Sequence, residues 1–465
     1  MGAGKSRVHP DRVRRLNNHP AHSGRYVLYW MQQSQREHFN HALEYAIDEA
    51  NDRAIPLLVA FGLTSGFPEA NLRHYHFMLE GLAETSRTLA KRRIKFILQL
   101  GDPAEVALRV GRNAALIVCD RGYLRVQKRW RQTVAQQASC PVVQVESDVI
   151  VPVEIASNKR EFGARTLRPR VLHKKAEFLV ALGRARIRHS SLRLRVPNLD
   201  PANIDALCRK LRLDPSVPSV PHLFRGGSSV ARRLFARFLR RNLSDYKEHR
   251  NQPQTNDVSH MSKYLHFGQI SPLWLALEVE KAKKAGPPNV YTFIDELLVR
   301  RELAMNWVEF TENYDAYESL PAWARTTLDQ HRHDPRPHLY SRVQLEAART
   351  HDPYWNAAMR EMRETGYMHN YMRMYWGKKI LEWSATPEVA FGNALALNNK
   401  YFLDGRDPNS FANVAWVFGQ HDRPWPQRPI FGKIRYMNAA GLERKCDIRA
   451  YVVKIDRLVG LAAAR

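Results

Sequence analysis

Five apolar runs mark the first 145 residues, at 25–30, 56–62, 94–100, 115–119 and 141–145. A short continuous apolar run predicts a strand covered on both faces, as a parallel sheet between helix layers requires. The intervening segments 37–51, 71–90 and 103–111 have helical length and an amphipathic pattern. Strand and helix alternate, which predicts a doubly wound, Rossmann-like parallel sheet in an α/β domain. From 157 to 195 the pattern dissolves into basic residues, and prolines follow from 197 to 221. This stretch reads as a long surface connector, helical in part around 174–186. Beyond Leu223 strand signals nearly vanish. Helical stretches follow at 229–242, 272–285, 291–311, 341–350, 353–365, 369–384 and 387–398, so the second half is all-α. The expected organisation is a flexible tail over 1–20, an α/β domain over 21–157, a basic linker over 158–220 and a helical domain over 221–465.

Charge changes the picture more than size does. The 465 residues carry 72 Lys and Arg against 46 Asp and Glu, a formal net charge of +26. Such a surplus points to a polyanionic partner, of which nucleic acid is the commonest. A solvated basic surface is the plainer alternative. The connector alone holds twelve Lys and Arg against Glu161 and Glu177. Cys119, Cys140, Cys208 and Cys446 are scattered without a CxxC pair, which argues against a zinc or disulfide framework and suits a reducing cytosol. No metal site is expected. No apolar run approaches the roughly 18 residues that span a bilayer, and residues 1–20 lack the apolar core of a signal peptide; the expected location is cytoplasmic. Gly2-Ala3-Gly4-Lys5-Ser6 resembles the end of a phosphate-binding loop but lacks its first glycine and preceding strand. Met1-Gly2 with Ser6 also fits a myristoylation pattern, one too short to carry weight.

Four constellations in the helical half could carry chemistry. Tyr246 and the run Val258-Ser259-His260-Met261-Ser262 place hydroxyls at a helix start, where free N–H groups favour an anion; plain helix capping is the bland reading. Glu296 and Arg300 stand four apart on a predicted helix, which makes an intrahelical ion pair the default. Arg373, Trp376 and Trp383 share a helix, with Trp376 and Trp383 nearly two turns apart on one face. Eight of the ten tryptophans fall in this half, Trp355 and Trp425 among them. Finally, Asp404-Gly-Arg-Asp407-Pro-Asn409 is a loop able to present polar groups to a heterocycle, or a turn bonding its own backbone.

Taken in order, these segments resemble the class II cyclobutane pyrimidine dimer photolyases. The resemblance runs from about residue 25 to about 453. It is carried by Tyr26-Val-Leu-Tyr-Trp-Met-Gln-Gln-Ser-Gln35, by residues 373–383, and by DGRDPN followed by HDRPW and FGKIRYM. It implies an antenna-type α/β domain and a helical domain holding FAD, active as FADH⁻. The implied reaction is light-dependent repair of UV-damaged DNA, by electron transfer to a pyrimidine dimer flipped out of the duplex. Tyr246, Val258, Ser259, His260, Met261 and Ser262 would then hold the diphosphate end, and Arg373 would lie against the flavin. Asp404, Asp407 and Asn409 would bind the ring, with Asn409 nearest N5 and Asn413 its competitor. Glu296 and Arg300 would also border the cofactor, with Glu296 contacting the dimer and Trp425 packing on it. Arg423, Arg428, Lys433 and Arg435 would meet the DNA backbone. Trp383, Trp355 and Trp376 would carry electrons to the flavin, with Trp383 innermost and Trp376 outermost. A second chromophore, 8-hydroxy-5-deazaflavin or a folate, is left open, and the chain is expected to be a monomer. Two departures stand out: Val299 where a better-known branch has tryptophan, and His260 where Asn or Arg is usual. A cryptochrome-like photoreceptor without repair activity and a light-independent basic nucleic-acid binder remain the rival readings.

Overall fold

The computed structural model describes residues 7–463. The phosphate-loop and myristoylation look-alikes at residues 1–6 lie outside them. Six strands form one sheet: β1 (Val13–Arg15), β2 (Tyr26–Trp30), β3 (Leu57–Leu63), β4 (Lys95–Leu100), β5 (Ala114–Asp120) and β6 (Val142–Val145), in the order β1-β6-β5-β2-β3-β4. β2 to β6 pair in parallel, and β1 adds antiparallel to β6 with Val13 opposite Val145. The five predicted strands are all present. β2, β3, β5 and β6 are buried along their whole length, which is why their sequences run apolar without alternation. The order reverses between β2 and β5. Doubly wound sheets open a ligand crevice at such a switch point, outside the carboxyl ends of the strands.

Two expectations need correction here. The segment taken as a flexible tail carries a strand and a buried anchor. Arg12 is 3% exposed, and its guanidinium donates to the carbonyls of Glu146, Val149 and Ile150. Three strand residues are too few to show a period, so only the partner strand reveals them. The connector is more ordered than its composition suggests, with helices at Ala164–Phe178 and Ile204–Leu211. Its first helix lies N-terminal to the stretch expected, and ties Arg168 to Asp295 at 2.8 and 3.1 Å.

In the helical half, Pro353–Thr365, Asn370–Trp383 and Pro387–Tyr401 fall where periodicity places them. The stretch predicted as one helix over 291–311 is three pieces: Pro287–Ile294, a π-helical turn over Asp295–Arg300, and Arg301–Glu309. Helices at Arg125–Gln137, Pro408–Val417 and Ile448–Ala463 were not anticipated.

The halves pack as one body. A single apolar cluster runs from Val27 and Leu57 in the sheet to Phe293 and Leu298 in the helices. Arg36 crosses between them, donating to Gly268 and Ser147 carbonyls, and Arg73 donates to Pro218, Met362, Tyr401 and Arg363 carbonyls. Gly268 sits at φ +63°, and a Cβ there would fall 1.8 Å from the Gln33 carbonyl oxygen. Only glycine allows that approach.

Candidate active site

The helical half encloses a cleft of about 1470 Å³, open solvent included. Tyr246, Val258, Ser259, His260, Met261, Ser262, Glu296, Arg373, Asp404, Asp407 and Asn409 all line it. Eleven residues scattered over more than 160 positions of sequence thus meet around one space.

The floor is an ion pair. Arg373 donates to both oxygens of Asp404 at 3.0 and 3.1 Å, and its guanidinium stacks 3.8 Å from the Phe402 ring. Burial opposes ionisation of Asp404, but Arg373, the Ser262 hydroxyl and Lys263 outweigh it and hold the carboxyl below its ordinary range. Lys263 lies beneath, 1% exposed, with its ammonium 3.9 Å from the Phe224 ring centre. Burial brings its pKa down to about 7, against the pull of Asp404.

Asp407 is the N-cap of the helix Pro408–Val417, accepting from Ser410 N at 2.7 Å, with Pro408 in the first turn. One carboxylate therefore does bond its own backbone, and it also faces the cleft. Asn409 and Asn413 follow one turn apart on this helix, and both line the cleft. Asn398 lines it too, from the helix before. Both its amide protons are spent, on Asn399 Oδ1 and Ser410 Oγ, which leaves its carbonyl oxygen as the acceptor offered to a ligand. No motif marked Asn398, because it sits in an ordinary helical stretch. At the other end His260 adopts φ +57° and bonds Asn256 through Nε2 at 2.7 Å. Burial first, then Lys263, holds its imidazole far below the usual value. It is a neutral ring, and its buried Nδ1 finds no partner among the described residues.

The expected Glu296–Arg300 pair does not form. The π-helical turn gives these residues more than 3.6 per turn, so positions four apart no longer share a face. Glu296 instead pairs with Arg250 at 2.8 Å, a partner that sequence spacing could not reveal. Arg300 lies outside the cleft, 3.7 Å from Asp295. Arg301, the next residue, does line the cleft.

The tryptophans are buried, and their order is the reverse of that expected. Trp376 lines the cleft. Trp355 donates its indole N–H to the Trp376 carbonyl at 3.0 Å, and its ring lies 5.7 Å from Trp383. Trp376 is therefore nearest the cleft and Trp383 farthest from it. The helix Asn370–Trp383 meets the cleft with its first turns, where Asn370, Arg373 and Trp376 lie.

Trp425 does not line the cleft. It sits in a closed loop, its backbone N–H bonded to the Lys433 carbonyl at 2.9 Å. Arg435 is tied to Asp422 at 2.8 and 3.0 Å and lays its guanidinium 4.1 Å from the Trp425 ring. Arg423, Arg428 and Lys433 are exposed nearby.

A second cavity of about 900 Å³, open solvent included, lies between the halves, outside the carboxyl ends of β2, β3 and β5. Gln32, Gln35, Tyr123 and Trp130 line it from the sheet side, and His266, Arg406 and Asp407 from the helical side. Asp407 belongs to both cavities. Among the described residues no helix is long and apolar enough to cross a membrane.

Comparison with known proteins agrees with this arrangement. Residues 27–186 match the family model described as DNA photolyase. A deoxyribodipyrimidine photo-lyase of Methanothermobacter thermautotrophicus is 49% identical over 98% of this chain and 99% of its own length. Enzymes of the same description from Oryza sativa and Potorous tridactylus are 39% and 38% identical, over 98% and 97% of this chain and 92% and 85% of their own. A class III photolyase from Agrobacterium tumefaciens shares the fold at a TM-score of 0.71 and 17% identity, over 94% of this chain and 87% of that one. A Synechocystis cryptochrome does so at 0.68 and 17%, over 94% and 87%. The chain thus belongs to the class II deoxyribodipyrimidine photo-lyases, flavoproteins that repair cyclobutane pyrimidine dimers in DNA, a family that implies an FAD cofactor.

Proposed function

We propose that the cleft holds FAD, with Tyr246 and residues 258–262 toward the diphosphate and Arg373, Asp404 and the three asparagines around the ring. The observation that carries this is the donor set. A buried carboxylate kept ionised, a guanidinium, and amides offering both acceptor and donor suit a heterocycle whose N–H pattern changes with redox state. The unpartnered His260 Nδ1 marks a wall built to meet a polar ligand. When bound and reduced, this cofactor supplies a photoexcitable one-electron donor.

The chain's own residues do the rest. Enzymes of this type take the target base out of the stack, and a damaged base unstacks more cheaply. Glu296, held by Arg250 at the cleft wall, contacts the flipped dimer. Trp425, flattened by Arg435, closes over the gap in the duplex. Arg423, Arg428 and Lys433 fix the flanking phosphates. Arg435 shapes the tryptophan instead, since Asp422 already takes its charge. Trp376, Trp355 and Trp383 form the electron path, read from the cleft outward. The cavity between the halves takes the second chromophore: Gln32 Nε2 and Oε1, Gln35 Oε1 and His266 Nδ1 are buried in its walls without hydrogen-bond partners among the described residues. The chain works as a monomer in a reducing compartment.

The test is purified protein assayed on irradiated DNA. Flavin absorbance with light-dependent loss of dimers is expected. Trp376→Phe should bind flavin normally, fail to photoreduce it, and still repair once reduced chemically. Normal photoreduction in that variant would remove the tryptophan path.

A further inference from the structure

The outward end of the tryptophan path does not stop at an indole. Tyr340 lies edge-on to Trp383, ring centres 5.5 Å apart, and its backbone N–H donates to the Trp383 carbonyl at 3.0 Å. His351 lies 5.1 Å from the same indole. The Tyr340 hydroxyl is 2.8 Å from His351 Nδ1 and also accepts from the His351 backbone N–H at 3.0 Å. With the backbone N–H held by its oxygen, the hydroxyl still has its own proton to donate, and Nδ1 lies within reach of it; the Nε2–H tautomer of His351 makes Nδ1 the acceptor.

We propose that Tyr340 is the terminal electron donor of this path and that His351 is the base that takes its phenolic proton. The proposal rests on the tryptophan path described above. The oxidant is the photoexcited oxidised flavin, reached through Trp376, Trp355 and Trp383. One electron passes from the Tyr340 ring to the oxidised Trp383, which becomes neutral indole again. The Tyr340 O–H bond breaks and an Nδ1–H bond forms, leaving a neutral tyrosyl radical and a His351 imidazolium.

The surroundings favour this transfer. His338 stacks on His351 with ring centres 3.7 Å apart. Burial, His338 and Lys379 lower the His351 pKa, against Asp352 and Glu382, so the ring is neutral and able to accept. Both histidines are exposed, which lets the proton pass to water. Separating electron from proton in this way slows their return, which is what a path supplying a buried cofactor needs.

The experiment is flash photolysis with electron spin resonance on the FAD-loaded chain. In the wild type, tryptophan radical decay should give a neutral tyrosyl signal, more slowly in heavy water. Tyr340→Phe should lose that signal and keep the tryptophan radical. His351→Gln retains a hydrogen-bond acceptor but no base; it should lose the tyrosyl signal too, and added imidazole should restore it. Tyrosyl yield unchanged in His351→Gln would overturn the histidine's role. A tryptophan radical without a tyrosyl radical in the wild type would overturn the tyrosine's role and leave the tryptophan path standing. No tryptophan radical at all would overturn both.

Discussion

The cleft and the cavity between the halves share the side chain of Asp407, yet they treat polar groups differently. In the cleft the charges are paired before any ligand arrives: Arg373 with Asp404, and Arg250 with Glu296. In the cavity between the halves, both polar atoms of the Gln32 amide are buried without hydrogen-bond partners among the described residues, as is His266 Nδ1, which lies 3.9 Å from Asp407. A paired group keeps its geometry in the empty protein, so a ligand meets a site already shaped. An unpaired buried amide carries a desolvation cost that only a ligand or water removes. Deleting one of the paired charges should therefore lower stability in the cleft, and deleting the unpaired Gln32 amide should raise it in the cavity between the halves.

The strongest attempt to break this contrast is Asp404→Ala. It leaves Arg373 without its partner over a largely buried floor. Removing one member of a buried pair costs about 3–5 kcal/mol. Calorimetry should show the loss, and the purified variant should carry little flavin. Unchanged melting with full flavin content would show that the pair is not the floor of the site. Glu296→Gln comes next. It keeps shape and removes the charge that faces Arg250, so dimers repaired per photon should fall about tenfold, equivalent to about 1.4 kcal/mol, at normal flavin content. Flavin loss instead would make Glu296 a structural residue.

Gln32→Leu reverses the sign. Replacing an unsatisfied buried amide by an apolar group should stabilise the empty protein by about 1 kcal/mol. The FAD spectrum should persist while sensitisation by a second chromophore disappears; destabilisation would mean that water already satisfies the amide. The smallest effect belongs to Lys433→Ala, in the exposed loop beside Trp425. It should lower the log–log salt dependence of DNA binding by about 0.9, equally for damaged and intact DNA. An unchanged slope would take Lys433 off the phosphate track.

Legibility divides along the same physical line. The motif DGRDPN was readable because a helix cap and its proline are written within four residues. Arg250 was not, because its partner Glu296 lies on another helix, turned toward it by a π-helical segment that no spacing rule anticipates. Asn398 was missed because a helix residue carries no mark of which cavity it will line. Trp376 and Trp383 could be set on one helix from the sequence, but which end met the cleft could not.

By itself, then, the sequence determined the parallel sheet, the helical second half and the family motifs. Burial on both faces of a strand forces a continuous apolar run, and local capping and helix periodicity leave their record within a few residues. Only the tertiary structure decided the strand Val13–Arg15, the order Trp376, Trp355, Trp383, the Tyr340–His351 hydrogen bond and the shared wall at Asp407. Each depends on residues brought together from distant parts of the chain, and the energy of such a contact leaves no period in the sequence to read.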